Sequence, residues 1–202
     1  MATTPAKAPA PDKRRLILDA AVRVFARRGF NQCRVADIAD EAGVAYGLVY
    51  HYFRSKDQVL STLFEERWNV MVEVIEQVDE QELAAREKLR TVAGFIFESY
   101  RHDPDLMKVI IVEVTRAANS FGRTHLPEIR LAYDGIARIV AGGVQSGEFR
   151  DVVTPSFAAM AFYGAVEQVL TGWIFADEAI GAVEFEGAKD AIVETICGGL
   201  NG

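Results

Sequence analysis

The stretch from Val35 to Lys56 constrains the fold most, because it carries helical periodicity on both sides of a glycine. Its first half places apolar residues at positions i, i+3, i+4 and i+7, namely Val35, Ile38, Ala39 and Ala42. Gly43 follows, and glycine most readily adopts the left-handed backbone that ends a helix. The pattern therefore predicts two short helices joined by a tight turn.

The second helix is expected to begin near Ala45 and to have one buried and one wet face. The spacing directs Leu48, Val49, Tyr52 and Phe53 inward, and it leaves Tyr46, Gly47, Tyr50 and His51 outside. Two helices around a glycine turn are typical of a helix-turn-helix, whose second helix enters the major groove of DNA. The same periodicity also fits an ordinary helical hairpin with aromatic residues in its core.

The distribution of charge helps to separate these alternatives. Residues 1–56 contain ten Lys or Arg and five Asp or Glu, a net charge of +5. The whole chain carries −7, so residues 57–202 carry −12. A basic head on an acidic body favours binding of a polyanion by the head.

The motif resembles the DNA-binding segment of TetR-type transcriptional regulators. Their pattern, I-A-x-x-A-G-V-x-x-G-x-x-Y-x-Y-F-x-x-K, is matched from Ile38 to Lys56. The chain differs where these regulators usually place Ser or Thr, because Cys33-Arg34 supplies no good N-cap. The resemblance implies an all-α protein with a three-helix, N-terminal helix-turn-helix DNA-binding domain and a six-helix domain for ligand binding and dimerisation.

Contacts with a double-stranded, palindromic operator are expected from the second helix of the motif and its flanks. Gly47 would let the backbone come close to DNA, and Lys56 would neutralise a phosphate. Arg34 could reach a phosphate, although a cation near a helix N-terminus is otherwise unfavourable. The expected DNA-binding residues are Arg34, Tyr46, Gly47, Tyr50, His51, Tyr52 and Lys56.

The domain organisation predicted from composition has three parts. Residues 1–11 are expected to be a disordered arm, either inert or touching DNA. Residues 12–56 would form the DNA-binding domain, with a first helix from Asp12 to Arg28 and Gly29 as its C-cap. Residues 57–202 would form the effector-binding and dimerisation domain.

Helical spacing predicts six helices in the second domain. Their expected ranges are 57–78, 89–100, 105–118, 127–146, 155–176 and 184–197, with loops at 79–88 and 119–124. The helix at 105–118 is apolar almost all round and is expected to be buried. The absence of period-two alternation predicts no strands, and about nine helices in all.

A cytoplasmic protein without a membrane segment is expected. The two cysteines, Cys33 and Cys197, provide no disulfide framework, which fits a reducing compartment. The N-terminus lacks the apolar region of a signal peptide, and the longest apolar run, 157–166, is shorter than the roughly 20 residues of a membrane span.

A homodimer is expected because one helix-turn-helix reads few base pairs, whereas two read a palindrome. The expected interface is one face of a late helix, formed by Phe162, Val166, Val169 and Trp173. The resemblance implies that the last two long helices form this interface. The same face also fits the core of a single chain.

The resemblance implies a small-molecule effector that is bound by the second domain and favours one conformation. The segments V-E-V-T-R (112–116) and G-V-Q-S-G-E (143–148), with the helix from Ala158 to Trp173, resemble regulators of fatty-acid degradation that sense long-chain acyl-CoA. The expected effector-binding residues are Phe95, Ile96, Tyr100, Ile110, Val114, Arg116 and Phe162. A multidrug- or aromatic-compound-sensing repressor of an efflux or catabolic operon is the alternative.

Arg116 is the residue expected to meet the CoA end of an acyl-CoA. Arginines also lie near other helix ends, at positions 101, 123 and 130. Solvation or ion pairing also explains such residues, and Arg116 could pair with Glu113.

Enzymatic function is not expected. His51, His102 and His125 are scattered, and the sequence has no HExxH motif, nucleophile elbow or phosphate-binding glycine loop. No paired Cys/His set indicates a metal, and no cofactor is expected. A purely structural interaction protein would leave the basic, aromatic head unexplained, so the sequence favours a ligand-responsive repressor.

Overall fold

A computed structural model describes residues 12–113, 125–176 and 180–200. These residues form nine α-helices and no strand, which confirms the predicted all-α class. The helices are α1 (Lys13–Arg28), α2 (Val35–Ala42), α3 (Tyr46–Tyr52), α4 (Lys56–Asp79), α5 (Ala85–His102), α6 (Pro104–Lys108), α7 (Leu126–Gln145), α8 (Pro155–Ala176) and α9 (Ala182–Leu200). A π-helical segment, Val109–Glu113, follows α6 directly.

The chain divides into two compact units, Met1–Leu60 and Ser61–Gly202, with the boundary inside α4. They are called the head and the body below. The predicted arm 1–11, the end of the predicted helix 105–118 and the predicted loop 119–124 lie outside the described residues.

Helix α1 in the head has the predicted caps and apolar face. The carboxylate of Asp12 accepts a hydrogen bond from the backbone N–H of Arg14 at 2.9 Å. Gly29 ends the helix at a φ of 79°. Ile17, Ala21 and Phe25 are completely buried, so this face forms the centre of the head.

The turn between α2 and α3 has the geometry that glycine permits. Gly43 has a φ of 64°, and its N–H bonds to the carbonyl of Asp40 at 3.1 Å. The N–H of Val44 bonds to the carbonyl of Ala39 at 3.0 Å. These two bonds are a Schellman motif, which satisfies carbonyls at the end of α2 and turns the chain into α3.

Helix α5 in the body begins at Ala85, four residues before the predicted start. Its preceding residue, Ala84, has no side chain that can cap a helix. The carboxylate of Glu148 instead accepts the N–H groups of Ala85 and Arg86 at 2.7 and 3.0 Å. The predicted loop was therefore wrong for residues 85–88, because the cap comes from a distant part of the chain.

Helix α5 is the element around which the body packs, since it contacts α6, α7, α8 and α9. Aromatic rings of three helices meet along it. Trp173 of α8 lies 4.8 Å from Phe185 of α9, 5.2 Å from Phe97 and 6.1 Å from Tyr100, between ring centroids. None of the helices in the described ranges is long and apolar enough to cross a membrane.

Candidate DNA interface and effector site

The outer face of α3 presents aromatic hydroxyl groups to solvent. Tyr46 and Tyr50 are 53% and 45% exposed, and Gly47 and His51 are exposed beside them. The Tyr46 hydroxyl donates to that of Tyr50 at 3.1 Å. Their rings meet edge to face with centroids 5.1 Å apart, so the two side chains hold one another in place.

Helix α3 is anchored from its opposite face. Val49 and Phe53 are 1% and 3% exposed, and Leu48 is half-buried. The inward placement expected for Tyr52 was wrong, because its side chain is 38% exposed. Tyr52 is the last residue of the helix and sits beside His51, with ring centroids 5.1 Å apart. It joins the exposed aromatic face.

Ion pairs between α1 and α2 neutralise part of the positive charge of the head. Arg23 and Arg27 both donate to the Glu41 carboxylate, at 2.8 and 2.9 Å, and Arg28 donates to Asp37 at 2.7 Å. Hydrogen bonds from Arg23 and Arg27 lower the pKa of Glu41. These three arginines connect the two helices, so the head's net charge overstates the positive charge that faces a partner.

Arg34 occupies the N-cap position of α2, where the sequence indicated a poor cap. Asp37 compensates, because its carboxylate accepts the backbone N–H of Arg34 at 2.7 Å. This hydrogen bond, with the nearby guanidinium of Arg28, lowers the pKa of Asp37. The anion in the first turn also offsets the cation at the helix start. The side chain of Arg34 remains exposed.

Lys56 makes a contact that the sequence did not reveal. Its ammonium donates to the carbonyls of Phe30 at 2.8 Å, Cys33 at 3.2 Å and Asn31 at 3.5 Å. It also lies 4.4 Å from the centroid of the Phe30 ring. An ammonium has three N–H donors, so three carbonyls occupy all of them. Lys56 therefore fastens the connection between α1 and α2, and its expected phosphate contact stays a prediction.

Exposed cations at the edges of the head are the remaining candidates for phosphate contacts. Lys13 lies at the start of α1, Arg34 before α2 and Arg54 just after α3, and all three are exposed. The sequence interpretation did not select Arg54. The feature of the sequence that could have identified Arg54 is its position, two residues after the end of α3.

The residues expected to bind an effector are mostly buried in the body. Ile96, Ile110 and Phe162 are 3%, 6% and 0% exposed. Phe95 is half-buried, with the guanidinium carbon of Arg67 4.8 Å from its ring centroid. Tyr100 belongs to the aromatic contacts along α5. Val114 and Arg116 lie outside the described residues.

The expected dimer face requires correction. Phe162 and Val166 are completely buried in the single chain and have no surface to offer a second copy. Trp173 is half-buried and packs on rings of its own chain, and Val169 is half-buried. Helix α8 carries apolar residues on every side, with few charged or polar ones between them, so residue spacing alone did not identify its outer face. That face carries Phe157, Met160 and Phe175, which are 54%, 56% and 59% exposed.

Comparison with known proteins places the chain in a family. Residues 17–63 match the family described as "Bacterial regulatory proteins, tetR family", and residues 64–190 match "YsiA-like protein, C-terminal region". The "Fatty acid metabolism regulator protein" of Bacillus subtilis is 31% identical over 186 residues, which make up 92% of this chain and 94% of that protein. The chain belongs to the tetR family.

Solved structures agree over both units. The fatty acid degradation regulator FadR from Bacillus halodurans superposes with a TM-score of 0.85 at 26% identity, covering 96% of this chain and 98% of that one. FadR from Bacillus subtilis, solved in complex with stearoyl-CoA, gives a TM-score of 0.83 at 27% identity, covering 93% and 99%. The protein is a DNA-binding transcriptional regulator, and the predicted family and fold are confirmed.

Proposed function

We propose that this protein is a repressor that binds a palindromic operator as a dimer and is released by long-chain acyl-CoA. The observation that carries the proposal is the likeness across both units to a regulator that has been solved with stearoyl-CoA. Such a protein acts in the bacterial cytoplasm, where it meets the chromosome.

The outer face of α3 would read the operator, with Tyr46, Gly47, Tyr50, His51 and Tyr52 in the major groove. The exposed hydroxyls and imidazole can bond to phosphates and base edges. Arg34 and Arg54 would contact phosphates on either side of the groove.

Gly47 allows a sharp test of this interface. A methyl group added at Gly47 would meet no atom of the described residues within 4 Å, and alanine favours a helix over glycine by about 1 kcal/mol. We expect Gly47→Ala to keep or raise thermal stability and to lose operator affinity, measured by fluorescence anisotropy with labelled upstream DNA. Wild-type affinity in the variant would show that the backbone of α3 does not approach DNA closely.

Salt dependence separates phosphate contacts from structural ion pairs. We expect Arg34→Ala to lower the slope of log affinity against log salt by about one, for all DNA sequences alike. Arg27→Ala is the matched control, because Arg27 is paired with Glu41 and is expected to leave the slope unchanged. Equal slopes for the wild type and Arg34→Ala would remove Arg34 from the interface.

The second copy would pack on the exposed side of α8. Phe157, Met160 and Phe175 share this surface, and a shallow groove beside Phe157 is lined by residues of α8 and α9, including Ala161 and Ile196. Small residues in such a groove allow helices to approach closely. A charge at Met160 should yield monomers with unchanged helical circular dichroism. A dimeric Met160→Glu variant in sedimentation would place the interface elsewhere.

The effector is tested by releasing the operator with acyl-CoAs of increasing chain length. Each methylene buried adds about 0.8 kcal/mol, so affinity should rise about fourfold per methylene until the site is full. Free CoA should not release the DNA. Release by planar aromatic or cationic compounds, with indifference to acyl chains, would favour the multidrug-sensing alternative and leave the DNA interface intact.

A further inference from the structure

Helices α5 and α9 of the body are joined by ion pairs between four side chains near the start of α5. They are Arg86 and Arg90 of α5 and Asp190 and Glu194 of α9, here called the charge ladder. The two oxygens of the Glu194 carboxylate accept separate arginines, Oε2 from Arg86 and Oε1 from Arg90 at 3.0 Å. The guanidinium of Arg90 also lies 3.4 Å from the carboxylate of Asp190. One carboxylate of α9 therefore bridges two arginines of α5.

The arginines of the charge ladder are placed unfavourably for α5 by itself. Arg86 and Arg90 lie four residues apart, so two cations face each other on one side of the helix and repel. Arg86 also lies in the first turn of α5, where a cation opposes the helix dipole. Glu194 offsets both effects, and the hydrogen bond that it accepts raises the pKa of Arg86. The position of the two arginines is therefore explained by their partner on α9.

The other end of the contact between α5 and α9 is aromatic. The ring of Phe185 in α9 lies 6.5 Å from that of Phe97 and 6.1 Å from that of Tyr100, between centroids. The two helices thus run antiparallel, with the charge ladder near the start of α5 and the rings near its end. Apolar contact is non-directional, whereas a hydrogen bond depends on distance and angle. The charge ladder is therefore the part of the contact that sets the register of α9 on α5.

Helix α9 lies between the charge ladder and the surface on which the second copy would pack. Thr195 and Ile196, which follow Glu194 directly, line the shallow groove of that surface. Cys197, the next residue, is completely buried, so the same turn of α9 also faces the interior of the body. A shift or rotation of α9 at Glu194 would therefore move the residues of the groove.

We propose that the charge ladder positions α9 for packing against a second copy of this chain, with Glu194 as the residue that fixes α9 to α5. This inference rests on the proposed function and adds residues that act on the dimer through the position of a helix. A twofold interface uses the same surface of both copies, so a displaced α9 disturbs the interface twice. Loss of the charge ladder should therefore weaken the dimer even though the groove keeps all of its apolar residues.

The first test measures the dissociation constant of the dimer by sedimentation equilibrium. Glu194→Gln removes the charge with little change of shape, and we expect it to raise the dissociation constant about two- to fivefold, the effect of one partly exposed ion pair on an equilibrium. Glu194→Lys places a third cation beside the two arginines and should raise it by at least about tenfold. Glu186→Gln is the matched control, because Glu186 pairs with Lys189 of the same helix, and it should dissociate like the wild type.

Arg90→Gln separates a role within the charge ladder from a direct contact between Glu194 and the second copy. If Glu194 acts through Arg90, then the effects of the two single variants on the dissociation constant should not add in the double variant. Added salt should also narrow the difference between Glu194→Gln and the wild type, because both side chains are partly exposed and their attraction is screened. Additive effects would make Glu194 a direct contact and would overturn its positioning role.

Cys197 reports on how firmly α9 is held against α5. Its thiol is completely buried, and burial raises its pKa to about 11, so it should react slowly with Ellman's reagent. The measurement uses Cys33→Ala, which removes the other thiol, and Met160→Glu, which removes any protection by the second copy. Added to these two changes, Glu194→Gln should accelerate the reaction of Cys197, whereas Glu186→Gln should not.

Failure of this inference is distinct from failure of the proposed function. If the wild type is dimeric, Met160→Glu is monomeric and Glu194→Gln dissociates like the wild type, then the inference is overturned although the dimer stands. If the wild type is monomeric at every concentration, then both are overturned. Glu194→Gln should also weaken binding to the palindromic operator and leave the affinity for a single half-site unchanged, which confirms that the head of the variant folds.

Discussion

Charged side chains pair across helices in the head, and also in the body where Arg86 and Arg90 meet Glu194, but not at Arg67 and Glu167 of the body. In the head, Arg23, Arg27 and Arg28 reach carboxylates of α2 at hydrogen-bond distance near the surface. In the body, Arg67 and Glu167 are half-buried, burial lowers the pKa of Arg67 and raises that of Glu167, and neither side chain forms a hydrogen bond to a described residue. These ion pairs join α1 to α2 in the head, whereas Arg67 and Glu167 join no helices of the body by an ion pair between described residues.

This difference suits the two binding tasks. A preformed head loses little conformational entropy when it meets DNA, so more of its contact energy appears as affinity. A body that binds a ligand only when folded is stabilised by that ligand, by an amount that grows with ligand concentration. Such coupling is what a ligand-responsive regulator requires, because the ligand must prefer one conformation over another.

The largest expected effect is that of Phe162→Ala in α8. Phe162 is completely buried, and truncation of such a side chain to alanine lowers the free energy of unfolding by about 3–5 kcal/mol. Phe157→Ala on the same helix is the matched control, since Phe157 is 54% exposed. We expect it to change stability little and to weaken the dimer instead, as measured by urea denaturation and sedimentation.

This pair of variants tests whether the buried face of α8 stabilises the single chain while its exposed face forms the dimer. If Phe162→Ala lowered the free energy of unfolding only slightly and abolished the dimer, then Phe162 would belong to the dimer interface, as first expected from the sequence.

The second-largest expected effect is that of Lys56→Ala in the head. We expect Lys56→Ala to lower the stability of the head by about 1–3 kcal/mol, because three carbonyls lose a charged donor. Both tryptophans, Trp68 and Trp173, lie in the body, so their fluorescence does not report on this change. Hydrogen exchange of residues 30–35 is the appropriate measurement, and exchange there should accelerate.

Arg54→Ala is the control for Lys56→Ala, since Arg54 is exposed and two residues away. It should leave hydrogen exchange unchanged. If Lys56→Ala also left exchange unchanged, and instead lowered the salt slope of DNA binding by about one, then the ammonium would be a phosphate contact after all.

The third prediction is that acid affects the two units in opposite directions. Partners in the head lower the pKa of Asp37 and Glu41 from the ordinary values of 3.8 and 4.5, so the stabilisation that these carboxylates provide is lost as the pH falls through the lowered pKa values. Burial raises the pKa of Glu167 in the body above 4.5. Its contribution is fully present below 4.5 and is lost as the pH rises through the raised value.

Hydrogen exchange, corrected for intrinsic rates, can follow both units in one titration. Protection of α2 should fall as the pH falls through the lowered pKa values of Asp37 and Glu41, and protection of α8 should fall as the pH rises through the raised pKa of Glu167. Glu41→Gln should weaken the dependence in α2, and Glu167→Gln should abolish that in α8. Parallel changes in both helices would show that the ionisation of these residues does not distinguish the units.

Local chemistry explains how much the sequence could predict. Gly43, Asp12 and Gly29 act within a few residues of themselves, so the turn and the ends of α1 were predictable. The cap of α5 by Glu148 and the three bonds of Lys56 join residues far apart in sequence, and no local pattern contains them.

The outer face of α8 was not predicted from the sequence for a different reason. Hydrophobic periodicity identifies a buried face only when the other face is polar. Met160 and Phe175 are as apolar as Phe162, so the spacing was compatible with several orientations, and burial alone decided between them.

The smallest expected effect on stability is that of Tyr46→Phe on α3. The Tyr46 hydroxyl is exposed and donates to that of Tyr50, so its loss should change the free energy of unfolding by less than about 0.5 kcal/mol. The ring remains and keeps its edge-to-face contact with Tyr50. The Tyr50 hydroxyl, freed from its partner, can turn toward solvent or DNA.

If Tyr46 bonds to the operator, then the affinity of Tyr46→Phe should fall several-fold, with the loss concentrated on the operator rather than on unrelated DNA. Anisotropy titrations with both DNAs measure this ratio. An equal loss on both would make the hydroxyl a phosphate contact, and a marked loss of thermal stability would show that the hydrogen bond between Tyr46 and Tyr50 helps to hold the head together.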